Sequence, residues 1–178
     1  ALFTEGINAQ WQIDKRLTFD PASSETSLTN AWCIASNGSN LHVVWWDLRD
    51  GNGEIYYKRS LDGGTNWGSD VRLTNNSAYS REPSVSVSGS NVFVVWSDDR
   101  DGNSEIYFKR STNGGTTWGA DTRLSNDVPF SYNPSMSAAG SEIHVVWWGP
   151  RVNYVRSTDG GQSWGSVSEL VTGAFSAE

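Results

Sequence analysis

Cysteine is almost absent from this chain: Cys33 stands alone among 178 residues. An intramolecular disulfide is therefore excluded. Long hydrophobic runs are missing as well, and with no apolar stretch of about 18 residues there is no helical membrane span. Basic residues are outnumbered, 13 Lys and Arg against 20 Asp and Glu, for a formal net charge of −7. That balance argues against nucleic acid and anionic membranes as partners, because both recruit basic surfaces. No segment shows sustained helical periodicity. Zinc-ligand spacing, a phosphate-cradling glycine loop and a nucleophile elbow are also lacking.

What the chain has instead is aromatic mass and glycine: ten Trp, six Tyr, six Phe and eighteen Gly. This mix suits an all-β protein with many tight turns, in a length that makes one domain. Cys33 lies in Ala31-Trp32-Cys33-Ile34-Ala35 and reads as a buried strand residue. The chain starts at Ala1, as after removal of a signal peptide or after trimming. Asn37-Gly38-Ser39 and Asn75-Asn76-Ser77 match the glycosylation sequon. The resulting expectation is a secreted protein, extracellular or at the cell surface.

One phrase occurs three times: Ser60–Trp67 (SLDGGTNW), Ser111–Trp118 (STNGGTTW) and Ser157–Trp164 (STDGGQSW). The copies are roughly 50 residues apart, the range of a repeat architecture. Aligned on their tryptophans, they reveal a four-strand unit. The first strand is Trp32–Ser36, Pro83–Ser88 and Pro134–Ala138. The second is continuously apolar, Leu41–Trp46, Val92–Trp96 and Ile143–Trp148, as in a strand covered on both faces. A polar loop follows, Asp47–Glu54 and Asp98–Glu105, shortened to Gly149–Asn153 in the third copy. The third strand is Ile55–Arg59, Ile106–Arg110 and Tyr154–Arg156, and a polar fourth is Trp67–Thr74, Trp118–Ser125 and Trp164–Val171. Four short antiparallel strands per unit are the anatomy of a propeller blade. Trp11–Thr18 (WQIDKRLT) repeats Trp67–Thr74 (WGSDVRLT) and reads as an outer strand without the three before it. The organisation is one all-β propeller unit: orphan outer strand 1–20, blades 21–76, 77–127 and 128–172, and a tail 173–178.

The repeated phrase resembles the Asp box, or BNR repeat, of sialidases and their non-catalytic relatives, over about Trp11 to Val171. The resemblance implies that the box is the turn between the third and fourth strands. Ser60, Asp62, Gly64 and Trp67, with Ser111, Asn113, Gly115 and Trp118, and Ser157, Asp159, Gly161 and Trp164, are then structural. The aspartates accept backbone hydrogen bonds, the tryptophans pack between adjacent turns, and Asn113 keeps an acceptor oxygen without the charge. The family's catalytic set is largely missing, and its Arg-Ile-Pro motif has only a loose echo in Arg81-Glu82-Pro83.

An up-and-down blade puts the Asp boxes on one face and the loops between second and third strands on the other. The resemblance places the substrate side on the loop face. The candidate ligand-binding residues are then Arg49, Asp50, Asn52, Arg81, Arg100, Asp101, Asn103, Tyr132 and Arg151. The loop carboxylates invite calcium, a hard cation, but a hairpin held by Arg–carboxylate contacts explains the same residues. No cofactor is expected. His42, Phe93 and His144 share one repeat position, which calls for an aromatic body rather than a metal ligand. Arg16, Arg72 and Arg123 lie on outer strands as partners of nearby carboxylates.

Three blades do not close a ring. Two exposed blade faces are expected, lined by residues such as Val43, Trp45, Val94, Trp96, Val145 and Trp147, and such patches mark an interface. The chain is expected to associate with itself, or with the rest of a longer chain. The leading functional reading is a non-catalytic module for glycan or cell-surface binding or for self-assembly. The alternative is a sialidase-type exo-glycosidase or part of one, with Arg49, Arg81 and Arg100 as the clamp, Tyr132 or Tyr79 as nucleophile beside Glu82, and Asp98 as acid.

Overall fold

The computed structural model describes residues 14–26, 32–126 and 129–170. Thirteen strands and no helix occur among them. The first sheet holds β1 (Ser24–Glu25), β2 (Ile34–Asn37), β3 (Asn40–Asp47), β4 (Glu54–Ser60) and β5 (Val71–Arg72). The second holds β6 (Ser80–Ser88), β7 (Asn91–Asp98), β8 (Glu105–Ser111) and β9 (Thr122–Arg123). The third holds β10 (Tyr132–Ala139), β11 (Glu142–Trp148), β12 (Val152–Ser157) and β13 (Ser168–Glu169). Every pairing is antiparallel and joins neighbours in blade order, so the chain is three β-propeller blades.

The register confirms the repeat residue by residue. Val43 faces Lys58, Val94 faces Lys109 and Val145 faces Val155. β1 and β2 both pair with β3 and together make one first strand, interrupted between Glu25 and Ile34. Outer strands are shorter than the sequence pattern suggests, two residues in each blade. Side chains replace part of the ladder there: the Ile55 and Ile106 amides donate to Thr74 Oγ1 and Ser125 Oγ, both at 2.8 Å. Of the N-terminal repeat of this strand, Trp11–Ile13 lie outside the described residues, and residues 14–20 form no ladder.

Two apolar clusters fill the gaps between blades. Val44, Ile55 and Tyr57 of blade 1 meet Val85, Val94 and Trp96 of blade 2. Phe93, Ile106 and Phe108 meet Met136, Val145 and Trp147 of blade 3. Val94, Trp96, Val145 and Trp147 are thus buried between blades, at 2% exposure or less, rather than lining open faces as expected; Val43 and Trp45, their equivalents in blade 1, belong to neither cluster, and Val43 is half-buried. The exposed face of blade 3 carries the alternate residues of the same strands, among them His144, Trp148 and Val152, because side chains in a strand alternate between faces.

His42 and Tyr57 stack at 5.9 Å with Nδ1 and Oη 2.7 Å apart; Phe93 and Phe108 stack the same way at 6.1 Å. Burial pushes Tyr57 up to about 12, so its hydroxyl stays protonated beside the imidazole. Burial and the Arg59 charge lower the His42 pKa. The unfolded chain then binds a proton that the folded chain refuses, so stability is full above about pH 6.5 and falls below it. His42→Phe is expected to cost about 1–2 kcal/mol at pH 7 by orphaning the Tyr57 hydroxyl. It also removes the His42 share of the pH dependence. His42→Phe with Tyr57→Phe, which copies blade 2, should recover most of the loss in urea denaturation.

Candidate binding face

Backbone hydrogen bonds sort the turns onto two faces. The Gly63, Gly114 and Gly160 amides donate to Ser39, Ser90 and Ser141 carbonyls, which joins each Gly-Gly turn to its blade's first hairpin. On the opposite face the Ser80 amide donates to the Gly53 carbonyl and the Ser131 amide to that of Ser104, which joins blade connections to the loops between second and third strands.

The Gly-Gly turns satisfy their own serine and Asp/Asn side chains, while the buried Trp118 and Trp164 Nε1 groups have no hydrogen-bond acceptor among the described residues. Ser60 Oγ donates to Asp62 Oδ1 (2.8 Å) and accepts from the Gly64 amide (2.9 Å), while Asp62 Oδ1 accepts the Asn66 amide (2.8 Å). Ser111, Asn113, Gly115 and Thr117 repeat this, as do Ser157, Asp159, Gly161 and Ser163. Asn66 and Ser60 hold Asp62 down at about 2. Trp118 and Trp164 each meet an aromatic ring of the preceding blade edge-on at 4.9 Å, Tyr57 and Phe108 respectively. Trp67 instead turns its Nε1 to the Gly64 carbonyl (3.0 Å).

The loop residues singled out from sequence are gathered into two copies of one network. Asp98, fully buried, accepts from Ser80 Oγ (2.8 Å), Trp96 Nε1 (2.8 Å) and Arg100 Nη2 (2.6 Å). Arg100 Nη1 reaches Asp121 (2.7 Å), which also pairs with Lys109 (2.8 Å). The Arg100 guanidinium lies 4.3 Å from the Tyr107 ring, and the Tyr107 hydroxyl donates to Asp101. Arg123 bridges Asp101 (3.2 Å) and Glu105 (2.8 Å), and Asn103 donates to Glu105 (2.9 Å). Blade 1 builds the same set from Asp47, Arg49, Asp70, Lys58, Tyr56, Asp50, Arg72, Glu54 and Asn52. Burial alone would raise the Asp47 and Asp98 carboxyls. The hydrogen bonds from Arg49, Ser24 and Trp45, and from Arg100, Trp96 and Ser80, outweigh it and hold both below the ordinary range. Each arginine is thereby tied to carboxylates of its own blade, and Arg151 sits apart on Glu169 at 3.2 Å.

Arg81 and Tyr132 do come together. Arg81 grips Asp99 with both terminal nitrogens (2.8 and 3.1 Å), and its guanidinium lies 5.4 Å from the Tyr132 ring. Tyr132 stacks on Phe130 (5.2 Å) and Trp148 (6.3 Å), and Phe130 lies 5.1 Å from Trp148. Trp148 is 52% exposed, and Tyr79, on the preceding connection, 44%. Sequence reading found Arg81 and Tyr132 but missed Phe130 and Trp148. Trp148 looked like core at the end of an apolar strand, and only the open edge leaves it wet.

Glu82 sits beneath this shelf, 7% exposed and at φ 56°, a strained backbone for a residue other than glycine. It accepts from Ser97 Oγ (3.1 Å) and the Asn133 amide (3.0 Å). With its side-chain nitrogen turned inward, Asn133 donates to both carboxylate oxygens at 3.1 Å. Among the described residues, neither Tyr132 nor Tyr79 hydrogen-bonds Glu82.

No family model and no curated protein matches this chain. Solved structures do. A mutant of Trypanosoma rangeli sialidase displaying trans-sialidase activity aligns with a TM-score of 0.52 at 16% identity, over 76% of this chain and 30% of that one. The xylan beta-1,4-xylosidase of Bacillus halodurans aligns with a TM-score of 0.51 at 14% identity, over 80% and 32%. NanB sialidase from Streptococcus pneumoniae aligns with a TM-score of 0.48 at 18% identity, over 66% and 19%. The chain thus spans about a third or less of the length of these proteins. At such identities the likeness is one of fold, and what the chain shares with sialidases is the β-propeller architecture.

Proposed function

We propose that this chain is a non-catalytic module of a sialidase-like, extracellular propeller that binds glycans through its loop face, with the three Gly-Gly turns as Asp boxes. The observation that carries this reading is the shelf of Phe130, Tyr132 and Trp148 beside the Arg81–Asp99 pair. Flat aromatic rings suit the apolar face of a pyranose, and a charged fork beside them suits its hydroxyls. The arginines speak against a clamp on a substrate carboxylate, because Arg49, Arg81 and Arg100 are each neutralised by a separate carboxylate. A glycan array followed by calorimetry tests the reading. Trp148→Ala is expected to weaken binding at least tenfold, about 1.4 kcal/mol. Failure of every glycan to bind the parent protein rejects the reading. Turnover of a fluorogenic sialoside, lost in Glu82→Gln, would establish the glycosidase alternative in its place.

A further inference from the structure

We infer that the loop face takes neutral glycans and discriminates against acidic ones, because the arginines beside the aromatic shelf are already held by this chain's own carboxylates and one carboxylate, Glu82, is left uncancelled. The inference rests on the glycan reading and names the class of sugar that site takes.

An acidic sugar is best held by a guanidinium whose fork is open to it. Beside the shelf each fork already holds a carboxylate. Arg81 grips Asp99 through both terminal nitrogens (2.8 and 3.1 Å). Arg100 gives Nε and Nη2 to Asp98 (2.8 and 2.6 Å) and Nη1 to Asp121 (2.7 Å). Across blade 2 the ion pairs join four cations to five carboxylates. A carboxylate or sulfate arriving there meets guanidinium groups whose charge is already cancelled.

Glu82 tips this balance further. It is the sequence neighbour of Arg81 and is hydrogen-bonded to Asn133, the neighbour of Tyr132, so it lies under the place where the Arg81 guanidinium meets the Tyr132 ring. The donors that reach it are neutral: the Ser97 hydroxyl (3.1 Å), the Asn133 amide (3.0 Å) and, turned inward, the Asn133 side-chain nitrogen. No cation pairs with it among the described residues. At 7% exposure its charge is poorly screened by water and acts on whatever sits above it.

The cations without a carboxylate stand elsewhere. Arg59 and Arg110 donate to the Gly114 and Gly160 carbonyls of the Gly-Gly turns and form no ion pair among the described residues. Arg110 lies five residues along β8 from Glu105. That is about 17 Å at a strand's rise, beyond the Debye length of about 10 Å in 0.1 M salt. A neutral sugar meets no such imbalance. Asp99 accepts one bond from Arg81 on each oxygen, its side chain is 31% exposed, and it keeps lone pairs for sugar hydroxyls.

Calorimetry on the full chain reads the outcome. The probes are the best neutral oligosaccharide of the array and the same oligosaccharide with one C6 hydroxymethyl oxidised to a carboxylate. The oxidised form is expected to bind at least tenfold more weakly at about 0.05 M salt. That gap is expected to shrink at least threefold at about 0.5 M, because salt screens the repulsion. Glu82→Gln is expected to narrow it at least threefold at low salt, with the Asn133 amide turning its oxygen to the new side-chain nitrogen. If this variant does not fold, the salt series decides alone. Equal or tighter binding of the oxidised form, or a gap that salt leaves unchanged, overturns the inference while the glycan reading stands. Binding confined to acidic glycans on the array does the same. Failure of every glycan to bind rejects the glycan reading and this inference with it.

Discussion

Replacing Gly115 by alanine should cost about 3–4 kcal/mol, whereas the same change at Gly64, its repeat equivalent, should cost about 1 kcal/mol. Both glycines hold positive φ, 79° and 88°, so both pay the left-handed backbone penalty. They differ in what the new methyl meets. At Gly115 it would overlap the Tyr57 hydroxyl and lie 2.5 Å from Tyr57 Cζ, in a site closed by Trp118. At Gly64 its nearest neighbour is Leu41 Cδ1 at 3.3 Å, the end of a flexible side chain. Gly161 should behave like Gly115, with Phe108 Cζ 2.5 Å away. Urea midpoints of the three variants check this. Equal losses at Gly64 and Gly115 would mean that the turn conformation, not the blade joint, sets the cost.

Asp98→Ala is expected to destabilise the chain by about 2–4 kcal/mol, because it leaves Trp96 Nε1 and Ser80 Oγ without their acceptor and removes one of the two carboxylates that hold Arg100, the other being Asp121. The same pairing is expected to contribute to the acid sensitivity of the fold. Asp47 and Asp98 have folded pKa values below their unfolded value of about 3.9. Their contribution is therefore fully present above about pH 5 and is lost as pH falls through 4 toward the folded values. Chemical denaturation between pH 6 and 2.5 should show this loss in the parent protein and a shallower one in Asp98→Asn. Identical slopes would show that other groups carry the acid response.

The repeat was legible because each blade solves the same packing problem with the same residues. Three Ser-x-Asp/Asn-Gly-Gly-x-x-Trp turns, three apolar second strands and two Arg–carboxylate loops repeat in sequence because they repeat in space. The split first strand of blade 1 was not legible. Its opening piece, Ser24–Glu25, resembles no strand in isolation and is set by Ser24 Oγ reaching Asp47 at 2.7 Å. The loop arginines were visible as a set, but a sequence does not say whether Arg49 and Arg100 face a ligand or their own Asp70 and Asp121.

The spacing of the turns and the recurring, continuously apolar second strand alone determined that this protein is a run of four-stranded blades, because a strand's apolar run and a turn's need for positive φ are local properties. Which face of each blade is dry was decided only in three dimensions. Val145 is buried and Trp148 exposed on one strand, because burial there depends on whether another blade stands opposite, and no property of the strand itself encodes its neighbour.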